Sequence, residues 1–286
     1  GIDATICENS THSLNGSAVR YSSVLWSTSG TGNFSNATSL NPVYTPSAAD
    51  KLAGSLTLTL TSHPLSPCAV AATDIMTLTI QRLSTANAGA DASICESDNY
   101  TLNGNAERYA SVSWSTSGTG TFTNNGTLTP VYTPSTADKN AGSVVITLTA
   151  QPMSPCAVAA TDQMTLTIQR LATAFAGSDA TICENGTRTL NGAASRFSSI
   201  LWTSSGTGTF SNPAILNPVY TPSNADKTAG TIVLTLTAQP ISPCSVSASD
   251  QMVLTIQQLS TANAGIDATI CENSTHSLNG SAVRYS

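Results

Sequence analysis

Ser55-Leu56-Thr57-Leu58-Thr59-Leu60-Thr61 alternates hydroxyl and apolar side chains without a break. Successive side chains of a strand point to opposite faces, so this stretch predicts a half-buried strand, leucines inward and threonines outward. The same pattern returns as Ser143-Val144-Val145-Ile146-Thr147-Leu148-Thr149 and as Thr231-Ile232-Val233-Leu234-Thr235-Leu236-Thr237, each 88 residues after the last. A second alternating run, Met76, Leu78 and Ile80, recurs as Met164, Leu166, Ile168 and as Met252, Leu254, Ile256. Trp26, Trp114 and Trp202 keep the same interval and mark the inward face of a middle strand. A fixed long period signifies an array of like modules.

The remaining positions of one unit carry further signals. Ala4 and Ile6 open it, and Leu14 anchors a strand before Asn15-Gly16, a turn signal. Pro42 and Pro46 bracket Val43-Tyr44-Thr45, which marks that strand as an edge. Ser47 to Gly54 reads as one short helical turn, serine at its N-cap and glycine closing it. Leu25, Ser113 and Leu201 occupy one position and so face solvent. Six or seven short strands in 88 residues call for a two-sheet sandwich of the immunoglobulin type, the all-β units lying end to end. The predicted units are residues 1–88, 89–176 and 177–264, with 265–286 opening a fourth. The linkers are short and partly apolar, which predicts that Leu83 and Leu171 pack at the inter-repeat junctions. Gly265–Ser286 matches Gly1–Ser22 at 22 of 22 positions, whereas Gly89–Ala110 matches at 12, so the chain is expected to continue beyond residue 286.

Composition excludes several functions. Charged residues are 9% and the net charge is −6, so no basic patch offers itself to nucleic acid. No apolar run reaches the ~20 residues of a membrane span. Catalysis needs a fixed base, but His12 becomes Tyr100 and Arg188, and His63 becomes Gln151 and Gln239. Asp3, Glu8, Asp50 and Asp74 do recur, yet not in a calcium-loop spacing, so turn capping is expected of them and neither metal nor cofactor is assigned.

Each full unit carries two cysteines, Cys7 and Cys68, Cys95 and Cys156, Cys183 and Cys244, with Cys271 in the fourth. An even count without C-x-x-C spacing predicts disulfides and an oxidising compartment. Cys7 to Cys68 and Cys68 to Cys95 are the two available schemes. In a sandwich whose first strand runs parallel to its last, a cysteine near the start of the first strand lies at the same pole as the loop before the last. With Cys7 so placed, the expected bonds are Cys7–Cys68, Cys95–Cys156 and Cys183–Cys244.

Asn87-Ala88-Gly89-Ala90-Asp91-Ala92-Ser93-Ile94-Cys95-Glu96, then Thr101-Leu102-Asn103-Gly104, the Trp114 strand and Pro130-Val131-Tyr132-Thr133-Pro134 resemble the PKD-like/immunoglobulin-like repeats of large secreted surface proteins of Bacteroidota, many gliding-associated and exported by the type IX system. The resemblance covers every unit and implies a stalk, filament or adhesin at the cell surface, without an activity. The leading expectation is a non-catalytic extracellular filament or stalk giving reach and strength, with lateral self-association available to it. The alternative is an adhesin whose repeats bind a surface or glycan directly.

Overall fold

The computed structural model describes residues 1–283. Strands hold 48% of the chain and helix 6%, as the alternation requires. The chain divides into two compact units, Gly1–Ala92 with Asn99–Thr167, and Ser93–Asp98 with Ile168–Ser286.

In the first unit, the opening repeat runs β1 (Ala4–Cys7), β2 (His12–Ser13), β3 (Tyr21–Thr28), β4 (Asn33–Phe34), β5 (Val43–Thr45), α1 (Ala48–Ala53), β6 (Ser55–Pro64) and β7 (Ala72–Gln81). Two sheets form, in the orders β1-β7-β6-β3 and β2-β5-β4. β6 and β7 are an antiparallel hairpin, and β1 runs parallel to β7 with Cys7 opposite Gln81. Between the sheets, Trp26 packs among Leu14, Tyr44, Leu58, Leu60 and Leu78. Leu56, Leu58 and Leu60 are buried, and Leu25 is exposed, as the alternation predicts.

Two local readings change. Val43–Thr45 is the central strand of its sheet, not an edge. The strand is only three residues long, so Pro42 and Pro46 fall outside it and cost no ladder bond. Asn15-Gly16 is not a turn either. A Cβ at Gly16 would meet the Leu40 carbonyl at 2.8 Å and the Trp26 ring at 3.0 Å, so glycine is there for close approach.

The second repeat follows the same plan: β8 (Thr85–Asn87), β9 (Ala92–Cys95), β10 (Tyr100–Thr101), β11 (Asn105–Glu107), β12 (Tyr109–Thr116), β13 (Thr121–Thr123), β14 (Val131–Thr133), α2 (Thr136–Ala141), β15 (Ser143–Pro152) and β16 (Ala160–Gln169). β8 precedes Gly89 yet pairs with β11 (Thr85 opposite Glu107), so strand pairing begins a repeat a few residues before the 88-residue marks. In the second unit, Ala180–Cys183 pairs in parallel with Ala248–Gln257, which pairs with Thr231–Pro240 and it in turn with Phe197–Ser204. Trp202, Tyr220, Leu234 and Leu254 lie in its core.

Each short helix carries the predicted serine cap and left-handed glycine stop, Ser47 with Gly54, Ser135 with Gly142 and Ser223 with Gly230. The buried carboxylates Asp50, Asp138 and Asp226 complete the capping boxes and accept the Tyr44, Tyr132 and Tyr220 hydroxyls at 2.7, 2.8 and 2.8 Å. Burial pushes these carboxyls up, but the N–H groups of Thr31, Thr119 and Thr207, the tyrosines and the serine caps outweigh it. All three are therefore held below the ordinary carboxylate value. A depressed folded-state pKa stabilises at pH above the unfolded value and is lost as pH falls through the folded one. Urea midpoints should hold from neutrality to about pH 5 and fall below about pH 4. Asp50→Asn/Asp138→Asn/Asp226→Asn should lower the neutral midpoint and flatten that acid limb.

Candidate functional site: the inter-repeat junction

Cys7 is bonded to Cys156, with Cα atoms 4.9 Å apart, and Cys95 to Cys244 at 4.8 Å. Both bonds cross from one repeat to the next over 149 residues of sequence. The expected pairs Cys7–Cys68, Cys95–Cys156 and Cys183–Cys244 do not form; Cys68, Cys183 and Cys271 are free and exposed. The register of β1 explains the difference. Cys7 is the last residue of that strand, not near its start, and stands beside Gln81 at the far end of β7. Its own repeat's Cys68 lies before Ala72, so ten residues of β7 intervene. Ten strand residues span about 33 Å, whereas a disulfide needs Cα atoms within ~7 Å.

The Cys7 end of the first repeat instead meets the β15–β16 hairpin of the second. Cys156 Sγ lies 3.4 Å from the Gln81 carbonyl oxygen, and Gln81 Nε2 lies 3.9 Å from Met153 Sδ. The second unit repeats the arrangement, with Cys244 Sγ 3.3 Å from the Gln169 carbonyl. All four bonded cysteines of the two bridges are buried.

Leu83 and Leu171 are half-buried, and their main chains are gripped from both sides. Glu8 accepts the Leu83 N–H at 2.9 Å, and Arg108 Nε donates to the Leu83 carbonyl at 3.0 Å. Glu96 and Arg196 do the same for Leu171 at 2.8 and 2.9 Å. Glu8 belongs to the first repeat and Arg108 to the second, so the linker is tied to both. Ser84 adds a bond to the Ala150 carbonyl at 3.3 Å. Arg108 and Arg196 hold left-handed φ values of 54°, unusual for arginine, where the backbone turns into the Trp strand. The signal for these arginines is in the sequence, since Arg20, Arg108 and Arg196 keep the 88-residue interval.

The other recurring acids are also engaged with backbone N–H groups. Asp3, Asp91 and Asp179 accept from Thr77, Thr165 and Val253. Asp162 and Asp250 accept from Ala88 and Ala176, and Asp74 takes the Gly1 ammonium. Among the described residues, no three His, Cys, Asp or Glu side chains gather where they could hold a metal ion. No helix of the described chain is long and apolar enough to cross a membrane. What the junction does chemically is to bond one repeat covalently to the next, beside hydrogen bonds that fix the linker.

A non-reducing digest should yield Cys7–Cys156 and Cys95–Cys244 peptides and no Cys7–Cys68 peptide. Cys7→Ser/Cys156→Ser should lower unfolding stability by up to about 5 kcal/mol, the chain-entropy value for so long a loop, read from denaturant curves. Arg108→Ala should cost about 1–2 kcal/mol in the same measurement, losing the bond to the Leu83 carbonyl and the exposed ion pair with Glu107 at 2.7 Å.

No family model matches the chain, and no curated protein sequence matches it. Solved structures do. A three-domain immunoglobulin fragment of titin, an E-to-A variant, superposes with a TM-score of 0.52 at 9% identity, covering 90% of this chain and 96% of that one. Cadherin repeats 22–24 of mouse cadherin-23 give 0.46 at 12% identity, covering 90% and 96%. Cadherin domains 3–6 of protocadherin gamma B2 give 0.44 at 12%, covering 91% and 72%. At such identity the likeness concerns fold alone, and it agrees with the strand topology: these are tandem immunoglobulin-like β-sandwiches.

Proposed function

We propose that this chain is a non-catalytic, tension-bearing part of an extracellular bacterial surface filament or stalk, of the kind built from PKD-like repeats in Bacteroidota. The observation that carries the reading is that the disulfides cross the repeat junctions. A bond inside a module protects that module. A bond between modules resists their separation, which matters when a chain is pulled along its length. Structural disulfides also fit an oxidising, extracellular setting. The recurring aromatics Trp26, Trp114, Trp202, Tyr44, Tyr132 and Tyr220 are buried in the cores. They are therefore withdrawn from any repeated binding surface, which favours the tether over the adhesin. Free Cys68 and Cys183 occupy the positions that are bonded elsewhere, which supports further repeats of the same kind as their partners.

Stretching between handles on Gly1 and Ser286 tests the reading. With both bonds intact, the shortest covalent path runs from Gly1 to Cys7, from Cys156 back to Cys95, and from Cys244 onward. That path holds about 110 residues, or about 380 Å fully extended, against about 1,000 Å for the reduced chain. Extension should therefore rise about 2.6-fold on adding reductant. An oxidised chain that extends as far as the reduced one would overturn the tether, and a glycan-array signal from it would favour the adhesin.

A further inference from the structure

Asparagine is followed by glycine five times within the three repeats, at Asn15-Gly16, Asn103-Gly104, Asn125-Gly126, Asn185-Gly186 and Asn191-Gly192. This pair carries a chemistry of its own. The glycine amide nitrogen can reach the preceding side-chain carbonyl carbon and close a five-membered ring, with no Cβ in the way. A nitrogen whose N–H is bonded in the fold must give up that bond first. Four of the five are held in this manner. Gly16, Gly104 and Gly192 donate to the Leu40, Leu128 and Leu216 carbonyls at 3.0, 2.9 and 3.2 Å, and Gly186 donates to the Cys183 carbonyl at 2.9 Å. The Gly126 N–H has no such partner among the described residues, and a Cβ at Gly126 would meet nothing within 4 Å.

The second repeat builds this loop differently from its neighbours. In the first and third, the main-chain N–H groups of Trp26 and Trp202 donate to the Ala37 and Pro213 carbonyls, both at 2.8 Å. In the second, the Trp114 N–H donates instead to the Asn125 side-chain oxygen at 2.7 Å, and Asn124 turns through a left-handed φ of 60°. Asn125 is exposed, in a turn that the Thr127 N–H closes on the Asn124 carbonyl at 3.0 Å. The Trp114 N–H therefore sits on the amide oxygen where negative charge builds as a nucleophile adds. The nucleophile next in the chain, the Gly126 nitrogen, is the unbonded one.

We infer that Asn125 is a self-modification site, deamidated through its own neighbour. The Gly126 nitrogen gives its proton to water and bonds to Asn125 Cγ; the Cγ–Nδ2 bond breaks, and ammonia departs to leave a succinimide. Water then opens the ring. Attack at Cγ gives aspartate, and attack at the backbone carbonyl gives isoaspartate, whose main chain detours through Cβ and Cγ. Either product adds a negative charge. Isoaspartate also displaces the residues after it. The Thr127 carbonyl accepts Trp114 Nε1 at 2.9 Å and the Leu128 carbonyl accepts the Gly104 N–H, so a lengthened loop pulls on the Trp114 core. Residue 125 lies between Cys95 and Cys156, the span that both disulfides bridge. A second repeat loosened by age thus leaves the covalent path through the cystines unchanged. The site stands on this loop alone and does not depend on the tether reading.

The test is incubation of the 286-residue chain, oxidised and folded, in warm, mildly alkaline buffer, followed by peptide mapping with isoaspartate detection. Asn125 should convert about tenfold faster than Asn15, Asn103, Asn185 and Asn191, whose glycines have a hydrogen bond to break. In urea with reductant the five rates should converge, since each is then an unstructured Asn-Gly pair. Gly126→Ala should remove the fast site yet keep the parent's urea midpoint, there being open space for the methyl. Isoaspartate-bearing chain, separated by its added charge, should unfold at lower urea than fresh chain. Folded-state conversion spread evenly over the five, or fastest at a pair whose glycine is bonded, would overturn the site. An isoaspartate chain as stable as the fresh one would overturn its hold on the core. Neither result touches the Cys7–Cys156 and Cys95–Cys244 bonds on which the tether rests.

Discussion

The direction of β1 is the constraint from which the junction follows. Because β1 runs parallel to β7 and ends at Cys7 opposite Gln81, that cysteine arrives at the pole where the chain leaves the repeat. The β6–β7 hairpin, with Cys68, sits at the other pole. An antiparallel partner would have brought Cys7 toward its own hairpin. The parallel one leaves it beside the linker, where the incoming hairpin of the next repeat stands within bonding distance. Glu8, the following residue, then accepts the linker's Leu83 N–H, and Gln81 faces the incoming hairpin. One strand direction thus supplies the disulfide and the polar contacts together.

This changes what a repeat is. Each module has its own buried Trp, Tyr and leucine core, so the hydrophobic driving force is local. The covalent bonds are not local, since each joins one repeat to the next. The scarcity of charge fits that plan. The recurring carboxylates accept backbone N–H groups at turns and linkers. Thr and Ser dress the outer faces of the strands.

What could be read in the sequence was what is written locally. The Leu-Thr alternation of Ser55–Thr61, the inward Trp26 and the Ser47 to Gly54 helix all depend on periods of a few residues and form as expected. Prolines 42 and 46 misled because a strand of three residues fits between them. Asn15-Gly16 misled because a glycine that admits a Trp ring looks, in sequence, like one that admits a turn. The disulfides were decided by where a four-residue strand stops. Its period-2 pattern is the same whether Cys7 lies near its start or at its end, so the pole was not legible. Arg108 was legible by its interval but carries no motif, and only the fold shows that its turn aims it at Leu83.

The two bridged loops, Cys7 to Cys156 and Cys95 to Cys244, overlap rather than follow one another. A protease that cuts any single peptide bond between these outermost cysteines therefore leaves the polypeptide in one covalent piece. A cut between Cys95 and Cys156 is spanned by both bridges, so even the loss of one bridge leaves such a scission harmless. A chain bridged this way outlives its own nicks.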